Sequence, residues 1–233
     1  MAMTLERTAW LQERRRLTAG RYDQLAPDYD RDWGTLDETH TTMLLLLLAR
    51  LPQGSCLLDA ACGTGKYWGL MLERGYALVG IDQSAGMLRR ADEKFPAVPT
   101  RQQGLQELNE SETFEAVLCI DAMEMVPPED WPLVLANLRR AVKSGGLLYL
   151  TVELIESAER ERAFLLGREQ GLPLVPGEYA HHGGYHYYPT LEQVRIWLEA
   201  AGLALLEERT GDGYQHFLLQ RPPNDQPTAQ VQA

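Results

Sequence analysis

The chain has 233 residues, 45% apolar and 24% charged, the balance of an ordinary globular domain able to bury its own core. A net charge of −11 argues against partners held by phosphate neutralisation, so neither nucleic acid nor an anionic membrane is expected. No apolar run reaches the ~18–20 residues of a membrane span, the start has no secretory h-region, and three cysteines without a C-x-x-C pair predict neither a disulfide framework nor a zinc site, which points to the cytoplasm.

In chain order, residues 5–50 read as helices broken near Pro27 and Gly34, with the basic RRR at 14–16 on a solvated face. The run Met43–Leu48 predicts a helix buried against a sheet. Apolar runs SCLLDA (55–60), ALVGID (77–82), AVPTRQQ (97–103), FEAVLCI (114–120) and GLLYLTV (146–152) read as buried strands. Helices are predicted between them at about 65–74, 84–94 and 129–142, and this alternation implies a parallel sheet with helices on both faces. Ser84 and Thr190 are candidate N-caps, with Gln193 completing a capping box, and Gly202 is a candidate C-cap. LALLEER (203–209), the turn TGDG and YQHFLLQR (214–221) predict a terminal hairpin. The excursion 153–189 reads as irregular and lid-like, and 222–233 as a disordered tail. One domain over 1–221 is expected, with the helices of about 1–50 as a cap.

The glycine-rich DAACGTGKYWG (59–69) follows the first strand. A P-loop needs glycine where Ala60 stands and a hydroxyl where Tyr67 stands, so ATP is excluded. In the dinucleotide fingerprint G-x-G-x-x-G, Gly63 and Gly65 fit but Trp68 takes the third position, where a close helix approach is required. Asp59, at the carboxyl end of that strand, suits a cationic ligand without phosphates. Gly63 and Gly65 allow close backbone approach, and Asp82, ending the second strand, can accept from ribose hydroxyls. Met87 can pack on an adenine face.

These residues resemble the class I S-adenosylmethionine-dependent methyltransferases. LLDAACGTG is similar to that family's V-L-D-x-G-C-G-T-G, VGIDQSAGML to its acid-ending second strand, KSGGLLYL to its turn before a later strand, and RYDQLAPDYD to its Y-D-x-x-A-x-x-Y-D element. The resemblance implies an α/β Rossmann-like fold, with a seven-stranded, mostly parallel sheet ordered 3-2-1-4-5-7-6 and strand 7 antiparallel. It implies S-adenosyl-L-methionine as cofactor, with Tyr22, Tyr29, Asp59, Ala61, Gly63, Gly65, Lys66, Asp82, Gln83, Met87, Gly104, Leu105 and Asp121 around it. Ala61 replaces the usual first glycine, and Gly104 stands where many members carry an adenine-binding aspartate.

Methyl transfer from a sulfonium needs alignment and exclusion of water more than a nucleophile from the enzyme. Glu124, after the fourth strand, can orient or deprotonate an acceptor, or else bond a backbone amide or the methionine ammonium. EYAHHGGYHYYPT (178–190) offers His181, His182 and His186 as bases and Tyr185 as an aromatic wall. No metal site is expected from these histidines. The expected activity is methyl transfer to an O or N atom of a small molecule by a monomer or homodimer. The rivals are sulfonium chemistry that releases methylthioadenosine and a non-catalytic cofactor-binding partner subunit.

Overall fold

The computed structural model describes residues 5–181 and 184–223; His182 and most of the expected tail, 224–233, lie outside the described residues. Three helices open the chain, α1 (Leu5–Leu25), α2 (Tyr29–Trp33) and α3 (Glu38–Leu48). The breaks fall at Pro27, which a helix interior does not tolerate, and at Gly34. There follow β1 (Cys56–Ala60), α4 (Trp68–Leu72), β2 (Ala77–Asp82), α5 (Ala85–Lys94), β3 (Thr100–Gln102), β4 (Phe114–Cys119), α6 (Trp131–Ala141) and β5 (Val142–Glu153). The excursion is not irregular throughout: it carries α7 (Ser157–Glu169) and an antiparallel pair, β6 (Glu178–His181) and β7 (Gly184–Tyr187), before α8 (Leu191–Ala200), β8 (Ala204–Gly211) and β9 (Tyr214–Gln220).

The main sheet runs β3-β2-β1-β4-β5-β9-β8. The first five strands are parallel, while β9 pairs antiparallel with β5 and β8. With β8 and β9 as the sixth and seventh strands of this sheet, that is the order expected from the sequence. Alternation along each strand divides the core into two layers. Leu58, Val117, Leu148 and Phe217 face α6 and α8, while Leu57, Leu118, Leu147 and Leu218 face the other side. There the leucine run of α3 buries Leu44 and Leu47 completely and turns Leu45 outward, as a helix laid on a sheet must. Both anticipated N-caps are made: Ser84 Oγ accepts from Met87 N and Thr190 Oγ1 from Gln193 N. Gly202, at φ 67°, closes α8.

Candidate functional site

At β1 the strand order reverses between β2 and β4, the place where open α/β sheets form a ligand crevice beyond their carboxyl ends. The loop leaving β1 is left-handed at Ala61 (φ 64°), Gly63 (φ 53°) and Gly65 (φ 73°). Ala61 therefore occupies a conformation that costs an L-residue roughly 1–2 kcal/mol, so the exchange of glycine for alanine is not conservative in backbone terms. A Cβ on Gly63 would meet nothing within 4 Å, because that face of the loop borders open space.

Trp68 explains the rest of the loop. A Cβ on Gly65 would lie 2.7 Å from its ring and one on Gly80 of β2 would lie 2.5 Å away. The indole thus fits because two glycines, one on each side, leave room for it. Its Nε1 donates to Asp59 Oδ2 at 2.7 Å. Asp59 is therefore turned into the core rather than toward a ligand, and burial raises its pKa from 3.8 to about 7 despite the indole bond. This corrects the expectation that Asp59 faces a cationic ligand.

Asp82 is placed differently. Gly63 N donates to its Oδ2 at 2.9 Å and Ser84 N to its Oδ1 at 2.8 Å. Each oxygen keeps a further lone pair for a hydroxyl. Burial raises the pKa of Asp82, and the bonds from Ser84 and Gly63 oppose the shift. The carboxylate lines a cleft of about 760 Å³ together with Tyr22, Tyr29, Ala61, Gly63, Gln83, Met87, Gly104, Leu105 and Asp121. Those ten are among the residues marked from the sequence; Asp59, Gly65 and Lys66 do not line this cleft. Lys66 reaches instead to Asp37, with Nζ 2.7 Å from Oδ2.

Sequence reasoning missed Arg15 and Thr18, which roof the cleft from α1, and Gln103 and Gln106, which flank Gly104. Gln103 Nε2 donates to Glu107 O at 2.8 Å and Gln106 Nε2 to Asp130 Oδ2 at 3.3 Å. The amide oxygens of the two glutamines can accept from an adenine amino group where the aspartate is missing. In RYDQLAPDYD the tyrosines reach the cleft and the aspartates fasten the cap. Asp23 Oδ1 accepts from Ser84 Oγ at 2.7 Å and Gly86 N at 2.6 Å, and Asp30 accepts from Thr64 Oγ1 at 2.5 Å and from Lys94 Nζ. Gly86 is required by that approach, since a Cβ there would lie 2.8 Å from Asp23 Cα.

A second cavity, of about 1340 Å³, opens beyond the first and shares Thr18, Tyr22, Tyr29, Asp121 and Met125 with it. Glu124, Glu153, Tyr185, His186 and Tyr214 line its far side. Glu124 is buried, its Oε2 has no partner among the described residues, and burial together with the nearby Glu153 carboxylate raises its pKa well above the usual range. His186 Nδ1 lies 2.7 Å from the Tyr188 hydroxyl; burial and Arg21 push its pKa down to about 4, leaving a neutral ring. Tyr185 donates to Glu178 Oε1 at 2.6 Å. His181 belongs to β6, opposite Gly184; His182 lies outside the described residues.

Two histidines not marked from the sequence come together elsewhere. His40, Asp212 and His216 hold ligand-type atoms within 4.8 Å of one another. His216 Nε2 lies 3.0 Å from Gly211 O, which can only accept, so Nε2 carries the proton and Nδ1 accepts from Tyr149 Oη at 2.8 Å. Both nitrogens are engaged, and the ring has no lone pair left for a cation. His40 Nε2 lies 2.7 Å from Asp121 Oδ1, whose residue is held at φ 51° by a bond from its N–H to Thr151 Oγ1.

Residues 57–146 match a family described as a methyltransferase domain. The chain is 32% identical over 168 residues to a ubiquinone biosynthesis O-methyltransferase of Hahella chejuensis, covering 69% of this chain and 67% of that protein. It belongs to the class I S-adenosylmethionine-dependent methyltransferases. Another family relative, the dTDP-4-amino-2,3,4,6-tetradeoxy-D-glucose N,N-dimethyltransferase of Saccharopolyspora spinosa, is 29% identical over 70% of this chain, which spans only 60% of that protein's length. Among solved structures, a 1,6-didemethyltoxoflavin N1-methyltransferase from Burkholderia thailandensis, bound to 1,6-didemethyltoxoflavin and S-adenosylhomocysteine, shares the fold with a TM-score of 0.69. That match is 16% identical and covers 95% of this chain and 92% of the other.

Proposed function

We propose that this methyltransferase moves the methyl group of S-adenosylmethionine to an O or N atom of a small-molecule acceptor. The observation that carries the reading is the pair of connected cavities meeting at Tyr22, Tyr29 and Asp121, one of them lined by Asp82. The first suits a nucleoside: Asp82 takes the ribose hydroxyls, Met87 and Leu105 sandwich the base, and Gln103 and Gln106 meet its amino group. Gly63 lets the backbone approach where a side chain would fill the space. Asp121, lining both cavities, is suited to the methionine ammonium. The bound cofactor supplies an already activated methyl carbon.

The chain's own residues then align and desolvate. Tyr22 and Tyr29, carried on the helical cap, separate the junction from water, and the acceptor lies in the second cavity with its lone pair in line with the carbon–sulfur bond. His186 and Glu124, which line that cavity, are the groups assigned to take a proton from an acceptor that must lose one. An acidic chain favours a small acceptor over nucleic acid, and relatives named as N,N-dimethyl and O-methyltransferases support both acceptor atoms.

Titration calorimetry with S-adenosylhomocysteine tests the reading. Micromolar binding is expected, and Asp82→Ala is expected to weaken it about 100-fold, the loss of two hydrogen bonds to a charged acceptor. Unchanged affinity in that variant would overturn the assignment. Product analysis separates the chemistry: S-adenosylhomocysteine with a methylated acceptor supports transfer, and methylthioadenosine contradicts it.

A further inference from the structure

The larger cavity is lined by a buried carboxylate with one oxygen left unpaired among the described residues. Glu124 is 5% exposed, and its Oε2 has no hydrogen-bond partner among the described residues. A buried acceptor in that state is costly unless a ligand or a proton meets it. Glu153, at the end of β5, and Asp121 line the same cavity. Its described lining carries six acids and two bases, Arg21 and Lys66. Lys66 is engaged by Asp37, and Arg21 is exposed. An anionic acceptor would meet net repulsion there, and a cation would meet a complement.

The same cavity is walled by Tyr22, Tyr29, Trp33, Tyr185 and Tyr214. Aromatic faces attract alkylammonium groups most strongly where water is excluded. Glu124 is absent from the cleft lined by Asp82, whereas Asp121 lines both spaces. The cofactor's own ammonium can therefore be met by Asp121, and Glu124 is left to the acceptor.

We infer that the acceptor is an amine, bound as an ammonium ion against Glu124 and Glu153 within this aromatic wall and methylated on that nitrogen. The inference rests on the methyltransferase reading above. In the step it implies, the ammonium first loses a proton to a carboxylate of the wall, Glu124 or Glu153. The freed nitrogen lone pair forms the new bond to the methyl carbon, the carbon–sulfur bond breaks, and its electron pair stays on sulfur as the neutral thioether. Bond formation leaves the nitrogen as a methylated ammonium cation, which departs as such, and the proton held by the wall exits to water.

The test uses the full chain saturated with S-adenosylhomocysteine and titrated with three probes of one skeleton: phenethylamine, 2-phenylethanol and 3-phenylpropionate. The amine is expected to bind about tenfold or more tightly than either analogue, and Glu124→Gln and Glu153→Gln are each expected to shrink that ratio toward one. Retained S-adenosylhomocysteine affinity shows that each variant is folded. An alcohol or carboxylate that binds as well as the amine overturns the inference. So does an amine that gives no binding to the loaded protein, or a preference that survives both substitutions. Failure of S-adenosylhomocysteine itself to bind is a separate result: it removes the methyltransferase reading and this inference with it.

Discussion

Asp59 shows how one buried contact redirects a motif residue. Its carboxyl titrates near 7 in the folded chain against an ordinary 3.8, because burial outweighs the Trp68 bond. The folded state therefore holds this proton more tightly than the unfolded one. The stabilisation is complete below about pH 4 and is lost as pH rises through about 7. Asp59→Asn keeps an oxygen for Trp68 Nε1 and cannot ionise. Denaturation of the ligand-free protein across pH 4–7 should show a smaller loss of stability in this variant, the difference being of the order of a few kcal/mol. Parallel curves would mean that Asp59 is ionised in place. The sequence marks Asp82, which lines the cleft, because a strand-ending acid beside a glycine turn is a local pattern. It misassigned Asp59 because the direction of that side chain depends on an indole nine residues away, which fits only where Gly65 and Gly80 leave a gap.

At the scale of elements, the cap is fastened by charges that no local pattern reveals. Arg7, near the start of α1, donates from Nη2 to Glu178 Oε1 at 2.8 Å and to Glu129 Oε2 at 2.9 Å, and Glu178 is wholly buried. These partners lie 171 and 122 residues away in the chain, so only the fold brings them together. The central strands β1, β2, β4 and β5 were legible because each carries a continuous apolar run, whereas β6 and β7 were not. Their sequences, EYAH and GYHY, are short and mix tyrosine with polar residues instead of forming an apolar run. Arg7→Met leaves Glu178 buried without its cation and is expected to cost about 3 kcal/mol or more. Pairing it with Glu178→Gln removes the stranded charge and should recover part of that loss. Amide exchange should quicken in α1, β6 and β7 of the single variant while β1 and β4 stay protected. Uniform exchange across the molecule would show that the cap is not a separate unit.

The whole molecule places its cofactor cleft between two bodies of structure: the carboxyl edge of the sheet, with the loops after β1, β2, β3 and β4, and α1 above them. A ligand that touches both must stabilise the packing of one on the other, and a ligand that binds only the folded chain adds RT ln(1 + [L]/Kd) to its stability. At one hundred times Kd this is about 2.7 kcal/mol. For a chain of 233 residues each kcal/mol raises Tm by roughly 2–4 °C. S-adenosylhomocysteine at that excess is therefore expected to raise Tm by about 5–10 °C, and NADH, which the Trp68 position disfavours, to leave it unchanged. Asp82→Ala, binding about 100-fold more weakly, should cut the shift to about 1 °C at the same ligand concentration, because the ribose loses its two acceptors. A shift of equal size in that variant would place the nucleoside elsewhere. A shift with NADH would mean that the space beside Gly63 admits a pyrophosphate, and the family's cofactor would no longer explain why the loop is built as it is.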